Sequence, residues 1–266
     1  MSPVPLVFDR RLVRRRRAHS LADPRRPDFL DTAIASELVD RLSSVKRSFA
    51  TILLHGGASV PLAERLDPLR GSLVLVSDCL PHPGVDLVLD EELWSIAEQR
   101  LACVIHAGGL ESVNDLPGAL SQIRSCLVPD GLFLAAALGG ETLKELRAAW
   151  LTAESEVLGG VSPRVAPFVD VREWGTLLQR AGFALPVVDA SRHIARYDNA
   201  LVLMHELRAL GLSNALTGRR RAPPTRSLLA RVAECYASEN SDGDGRIRAT
   251  FEIIYLSGWS PHASQQ

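Results

Sequence analysis

Lysine is almost missing from this chain, occurring only at positions 46 and 144, while arginine occurs 28 times. That bias favours a GC-rich bacterial genome, and with it a cytoplasmic protein. Net charge is nearly missing as well, at −1, so nothing global points to nucleic acid or an anionic membrane as partner. Cysteine is scarce: Cys79, Cys103, Cys126 and Cys235 have no CxxC spacing, and each lies in or beside an apolar stretch. Disulfides and a zinc site are therefore not expected, and the four read as reduced core residues. There is no GxSxG elbow, no HExxH pair and no internal repeat. Residues 1–30 hold no apolar stretch long enough for a secretion signal or a membrane span.

What is present is enough apolar material, 46% of 266 residues, for one domain of ordinary size. Residues 1–27 form a basic arm. Eight arginines against three aspartates lie between Met1 and Leu30, including Arg14, Arg15, Arg16 and Arg17 in succession. Such an arm is either solvated or a docking strip for an acidic partner, and it is the segment through which a peripheral membrane contact would be made. A mitochondrial presequence avoids acids, and Asp9, Asp23 and Asp28 argue against one.

Residues 28–266 read as a single domain with a helical and basic-loop elaboration at about 197–240. Leu30, Ile34, Leu38, Leu42 and Val45 recur at helical spacing. Apolar runs of strand length follow at 51–54, 72–78, 85–91, 101–109 and 132–140. Continuous rather than alternating runs belong to strands covered on both faces, as in parallel sheets. Helices are expected between them at 62–69, 91–100 and 117–127, the last capped by Asp115. Further on, helices are expected at 141–157, from Asp170 to Gly182 and at 199–210, with strands at 187–196 and 246–259 and a loop at 218–226. The succession predicts an α/β fold with a doubly wound, mostly parallel sheet, whose ligand site lies at the carboxyl ends of the strands.

That edge collects the candidate site residues. Gly56 and Gly57 follow the first strand, where glycines let a ligand approach the backbone or simply make a turn. Asp78 ends the second strand about 22 residues later, where doubly wound folds place an acid for a ribose hydroxyl pair. Asp90, Glu91 and Glu92 end the third strand, as ligand acids or as a helix start. His55 and His106 lie near the same edge, but no spacing singles them out as metal ligands, so no metal is expected. The stretch 240–245 imitates a calcium loop, yet its twelfth place is Phe251, so it reads as a turn.

Longer motifs then carry a resemblance. LVFDRRLVRRRRAHS, LESVNDLPGAL, GGETLKELR, GGVSPRVAPFVDVREWGTLLQRAGF, LRALGLSNAL and RATFEIIYLSGWSPHASQQ together resemble bacterial relatives of mitochondrial complex I assembly factor 5. That family is also similar to the malonyl-carrier-protein methyltransferase of biotin synthesis. The resemblance implies a Rossmann-like class I methyltransferase fold, with seven strands and an antiparallel C-terminal strand. It implies S-adenosylmethionine (SAM) as cofactor, held by Gly56 and Gly57, by Asp78 on the ribose and by Asp90 or Glu91 near the adenine. It further implies a protein substrate such as a respiratory complex I subunit, and three roles: methyl transfer, arginine hydroxylation, or assembly without turnover. The mitochondrial matrix becomes the alternative location. No residue is singled out as catalytic.

Two departures bear on the cofactor. Where methyltransferases carry Asp-x-Gly-x-Gly, this chain has Leu54, His55, Gly56, Gly57 and Ala58; where relatives carry His-Trp, it has Glu111 and Ser112. Losing one acid that receives the ligand's amino group costs about 1–3 kcal/mol, roughly 10- to 100-fold in affinity.

Overall fold

The computed structural model describes residues 5–66 and 72–262. Helix α1 (Arg10–Ala22) and helix α2 (Phe29–Ser44) lead into strand β1 (Thr51–His55). Helix α3 (Ser59–Arg65) precedes β2 (Leu73–Asp78), and the remainder of the helix expected at 62–69 falls partly on residues 67–69, outside the described residues. There follow β3 (Leu87–Val88), β4 (Leu101–Ala107), α4 (Leu116–Cys126), β5 (Leu127–Leu138), α5 (Lys144–Leu158) and α6 (Val171–Arg180). The chain closes with β6 (Ala184–Tyr197), α7 (Ala200–Ala209), α8 (Arg226–Asn240) and β7 (Ile247–Trp259).

The strands form one seven-stranded sheet in the order β3-β2-β1-β4-β5-β7-β6. Pairing is parallel from β3 to β5, and β7 runs antiparallel between β5 and β6. Strand alternation divides the core in two. Ile52, Leu54, Cys103, Ile105, Leu132 and Leu134 pack with α2, α5, α7 and α8 on one face; Leu53, Val104, Phe133 and Ala135 pack with α4 and α6 on the other. All four cysteines are buried and unpaired.

The expected caps form. Asp115 accepts from Gly118 N at 2.9 Å, Asp170 and Glu173 make a capping box, and Asn199 accepts from Leu201 N and Val202 N. The 240–245 stretch is a turn whose Asp242 and Asp244 pair with Arg196.

Two expectations about elements differ. No helix forms at 91–100, because its backbone is claimed from outside: Trp94 N donates to Gln122 Oε1, Gln99 N to Ser125 O and Arg100 N to Cys126 O. With Trp94 buried, tertiary bonds override local propensity. Strand β3 shrinks to two residues of the 85–91 run, then turns back at Asp90 and Leu93. Helix α8 lies within the helical elaboration expected at about 197–240, which assigns it no bounds, although its Leu228, Val232, Cys235 and Tyr236 lie at helical spacing and are all buried.

Candidate functional site

Between β1 and β4 the strand order reverses, which opens a crevice at their carboxyl edge. Gly56 turns the chain out of β1 with φ +102°, donating to Ser77 O at 3.1 Å. A Cβ there would stand 2.1 Å from Gly108 O, so the turn requires glycine for its own packing, whatever binds beside it. A Cβ on Gly57 would instead meet the guanidinium of Arg17, 3.3 Å from Nη1.

Arg17 is the centre of the arrangement. Its Nη2 donates to Asp78 Oδ2 at 2.5 Å and to Gly57 O at 3.2 Å, and its Nε reaches Asp78 Oδ2 at 3.2 Å. Asp78, 1% exposed at the tip of β2, also meets His82 Nε2 at 3.2 Å. Further along the edge, Arg14 Nη2 donates to Asp90 Oδ2 at 2.7 Å, while Arg10 bonds Glu91 and reaches Asp90 Oδ1 at 3.3 Å. Gly56, Gly57, Asp78, Asp90 and Glu91 thus converge on one edge, and α1 lies across them.

Three arginines of the basic arm, Arg10, Arg14 and Arg17, are therefore paired at the edge, while Arg11 and Arg15 stay exposed. Arg10, Arg14 and Arg17 are spaced by four and by three, so they share one face of α1 and face the acids together. Asp9 caps the helix by accepting from Leu12 N at 3.1 Å. The preceding segment is tied down by a bridge between Phe8 and Leu216 and by Phe8 N donating to Asn114 Oδ1 at 2.8 Å. Three acids gathered at a sheet edge need counter-charges, and α1 supplies them.

The electrostatics follow from that pairing. Burial alone would raise the Asp78 pKa, but the charge and hydrogen bonds of Arg17, helped by Cys79 and His82, hold it far below the usual carboxylate range. Arg17 is held above its ordinary value, Asp78 more than offsetting burial. Asp90 is lowered: burial opposes ionisation, while the Glu92 N–H and the charges of Arg14 and Arg10 outweigh it.

Inside the crevice a cavity of about 160 Å³ is walled by Arg17, Arg26, Asp31, Glu91 and Glu111 together with large apolar residues such as Phe8, Ile34 and Phe168 and the glycines Gly57, Gly108 and Gly109. Burial raises the pKa values of Asp31 and Glu111, opposed at Asp31 by Arg26 and at Glu111 by backbone donors such as Gly109 N. Leu54 is not a wall of this cavity; it packs in the core beneath α2. Nor is His55, which is fully buried against Trp94 and His106, with ring centroids 5.2 and 4.8 Å away. Burial lowers the pKa of both histidines, opposed at His55 by the charges of Glu91 and Asp78 and reinforced at His106 by His55, which favours the neutral form of each. Among the described residues no group of three or more His, Cys, Asp or Glu is placed to hold a metal.

Sequence reasoning missed Asp31 and the site role of Arg17. Arg17 could have been found, because Arg10, Arg14 and Arg17 already show a helical repeat. Glu111 was marked only as standing where relatives carry His, and Asp31 carries no local signal; the fold brings the two to one cavity.

Strand order, the glycine turn after β1 and the acid at the tip of β2 define a protein of class I methyltransferase fold. A candidate methyltransferase of Bacillus halodurans, BH2331, superposes with TM-score 0.53 at 14% identity, over 85% of this chain and 98% of that one. No family model matches. Arginine-hydroxylase NDUFAF5 of Danio rerio, a mitochondrial protein, is 35% identical over 97% of this chain and 84% of its own length. The chain belongs to the NDUFAF5 family. Malonyl-[acyl-carrier protein] O-methyltransferase of Methylovorus sp. is 39% identical over 65% of this chain and 56% of its own. Among the described residues no helix is long and apolar enough to cross a membrane.

Proposed function

We propose that this chain binds SAM in the crevice and modifies a side chain of a protein partner. The observation that carries the reading is the joint placement of Gly57 and Asp78, both already engaged by one cationic side chain. Arg17 uses the carboxylate and the carbonyl that hydroxyl and amino donors of an adenosyl ligand would use, so the residues fit the cofactor once Arg17 withdraws. Asp78 would then accept from the ribose hydroxyls, and Asp90 or Glu91 would lie towards the adenine. Leu54 and Ala58 belong to the core and offer no acid to the ligand's amino group, which weakens the grip. Bound SAM supplies an electrophilic methyl; the chain's part is alignment of the acceptor, with Glu111 as the group in the cavity suited to take a proton.

Titration calorimetry with SAM and with its demethylated product tests this. Heat that disappears in Asp78→Asn supports it, and no heat or thermal shift at millimolar ligand overturns it.

A second reading, arginine hydroxylation, is favoured by the relatives' activity and by the acids Asp31, Glu91 and Glu111 in the cavity wall, which suit a guanidinium; it requires an external oxidant such as molecular oxygen, whose second atom leaves as water with two electrons from an external donor. A third, assembly without turnover on a respiratory complex I subunit, is favoured by Arg17 occupying Asp78. Mass spectrometry of a co-expressed subunit separates them, by a gain of one methyl, one oxygen or neither. The cell compartment that suits the lysine-poor composition is a bacterial cytoplasm; the mitochondrial relatives make the matrix the alternative.

A further inference from the structure

Beside the crevice lies a second depression of about 720 Å³, and Leu138, Ala166, Phe168, Leu212 and Ser213 line both, so the two share a wall. Its floor is aliphatic, from Leu143 and Leu146 at α5 and Met204 and Leu207 on α7. Of its two aromatics, Phe168 belongs to the wall shared with the crevice, and Trp150 is already covered by the Arg164 guanidinium at 4.6 Å, Arg164 being itself paired with Glu154 at 2.5 Å.

The rim is cationic. Arg16 of α1 reaches it from a position about 100° around the helix from Arg17, and Arg219, Arg220 and Arg221 enter from the 218–226 loop, against one acid, Asp9. Asp9 is used by Arg219 at 3.2 Å. Among the described residues Arg16 donates to a carbonyl, Ser213 O at 2.5 Å, and its pKa is lowered, first by burial and then by the charges of Arg219 and Arg15, with Asp9 opposing. Arg220 and Arg221 are exposed, and no acid among the described residues bonds either of them. Pro223 and Pro224, lacking N–H groups, keep this wall from zipping onto its neighbours.

We infer that this groove docks an acidic polypeptide segment, one aliphatic side chain on the floor and its carboxylates at Arg16, Arg220 and Arg221. Guanidinium forks match carboxylates in pairs, and a concave aliphatic floor suits a side chain better than a bilayer surface does. Because the groove shares a wall with the crevice, the inference deepens the proposed function by naming the chemistry of the partner; the docking itself does not need SAM.

Fluorescence anisotropy with a labelled peptide of alternating glutamate and leucine tests it, with a lysine–leucine peptide and anionic phospholipid vesicles as the other probes. The acidic peptide should bind and weaken with salt. The double variant Arg220→Glu, Arg221→Glu should bind it at least roughly tenfold less well, and Met204→Gln should also weaken it. Both variants should take up SAM as the parent does. Peptide binding without SAM uptake would remove the proposed cofactor and leave the docking intact. Equal binding of both peptides, binding to vesicles alone, or indifference to the Arg220 and Arg221 reversals overturns the inference.

Discussion

Replacing Arg17 by methionine keeps much of its apolar stem and removes the charge that holds Asp78. Asp78 is 1% exposed and the Arg17 side chain 17%, so the variant leaves a buried carboxylate with His82, the Cys79 thiol and the Leu80 N–H as its remaining polar partners. Breaking a buried pair from one side costs about 3–5 kcal/mol. The pH dependence should reverse as well. In the parent the depressed Asp78 pKa gives stability that is present above the unfolded value and lost only as pH falls through the folded one. Without Arg17, burial raises that pKa, so the variant should gain stability as pH is lowered towards about 5. Ligand binding should move the other way. The parent must release Arg17 before Asp78 can accept from ribose, and a charge-assisted hydrogen bond is worth about 1.5–3 kcal/mol, so Arg17→Met should bind SAM roughly 10- to 100-fold more tightly. Calorimetry gives the affinity and urea unfolding the stability. The double variant Arg17→Met, Asp78→Asn, carrying neither charge, should recover most of the lost stability in a double-mutant cycle. If Arg17→Met binds SAM no better than the parent, Arg17 is not a competitor for the ribose acid and the reading of α1 as the occupant of the site is wrong.

Three further outcomes can be checked directly. Gly56→Ala forces a side chain into φ +102° and to 2.1 Å from Gly108 O; it should destabilise by about 2–4 kcal/mol, seen as a lower urea midpoint with unchanged slope. Burial raises the Glu111 pKa, so stability falls as pH rises between its unfolded and folded values. Glu111→Gln keeps an acceptor for Gly109 N and drops the charge; its melting temperature should exceed the parent's near about pH 8 and approach it near about pH 4, and a constant difference would show that Glu111 is not desolvated. Asp115→Ala removes the α4 cap and should cost about 0.5–2 kcal/mol, measured by thermal unfolding.

Much of the fold was legible because it is written in local pattern. Runs such as Ile52, Leu53 and Leu54 must be covered on both faces, and the turn glycines and capping acids sit where the helices begin. The segment 91–100 was misread because its backbone partners, Gln122, Ser125 and Cys126, lie far along the chain. Helix α1 was misread for a related reason. A row of arginines looks solvated until the acids it faces are known, and those acids stand on strand ends roughly 60 to 80 residues away.

The amino-acid order by itself determined the alternation of buried strand and helix, and the residue types at the carboxyl edge: Gly56, Gly57, Asp78, Asp90 and Glu91. Their state was decided in three dimensions. Parallel pairing of β1, β2 and β3 brings the acids together, and a cluster of like charges away from water must find cations. The nearest face able to provide three at matching intervals is α1, so the same helix that a reader of the sequence would leave in solvent comes to lie in the site.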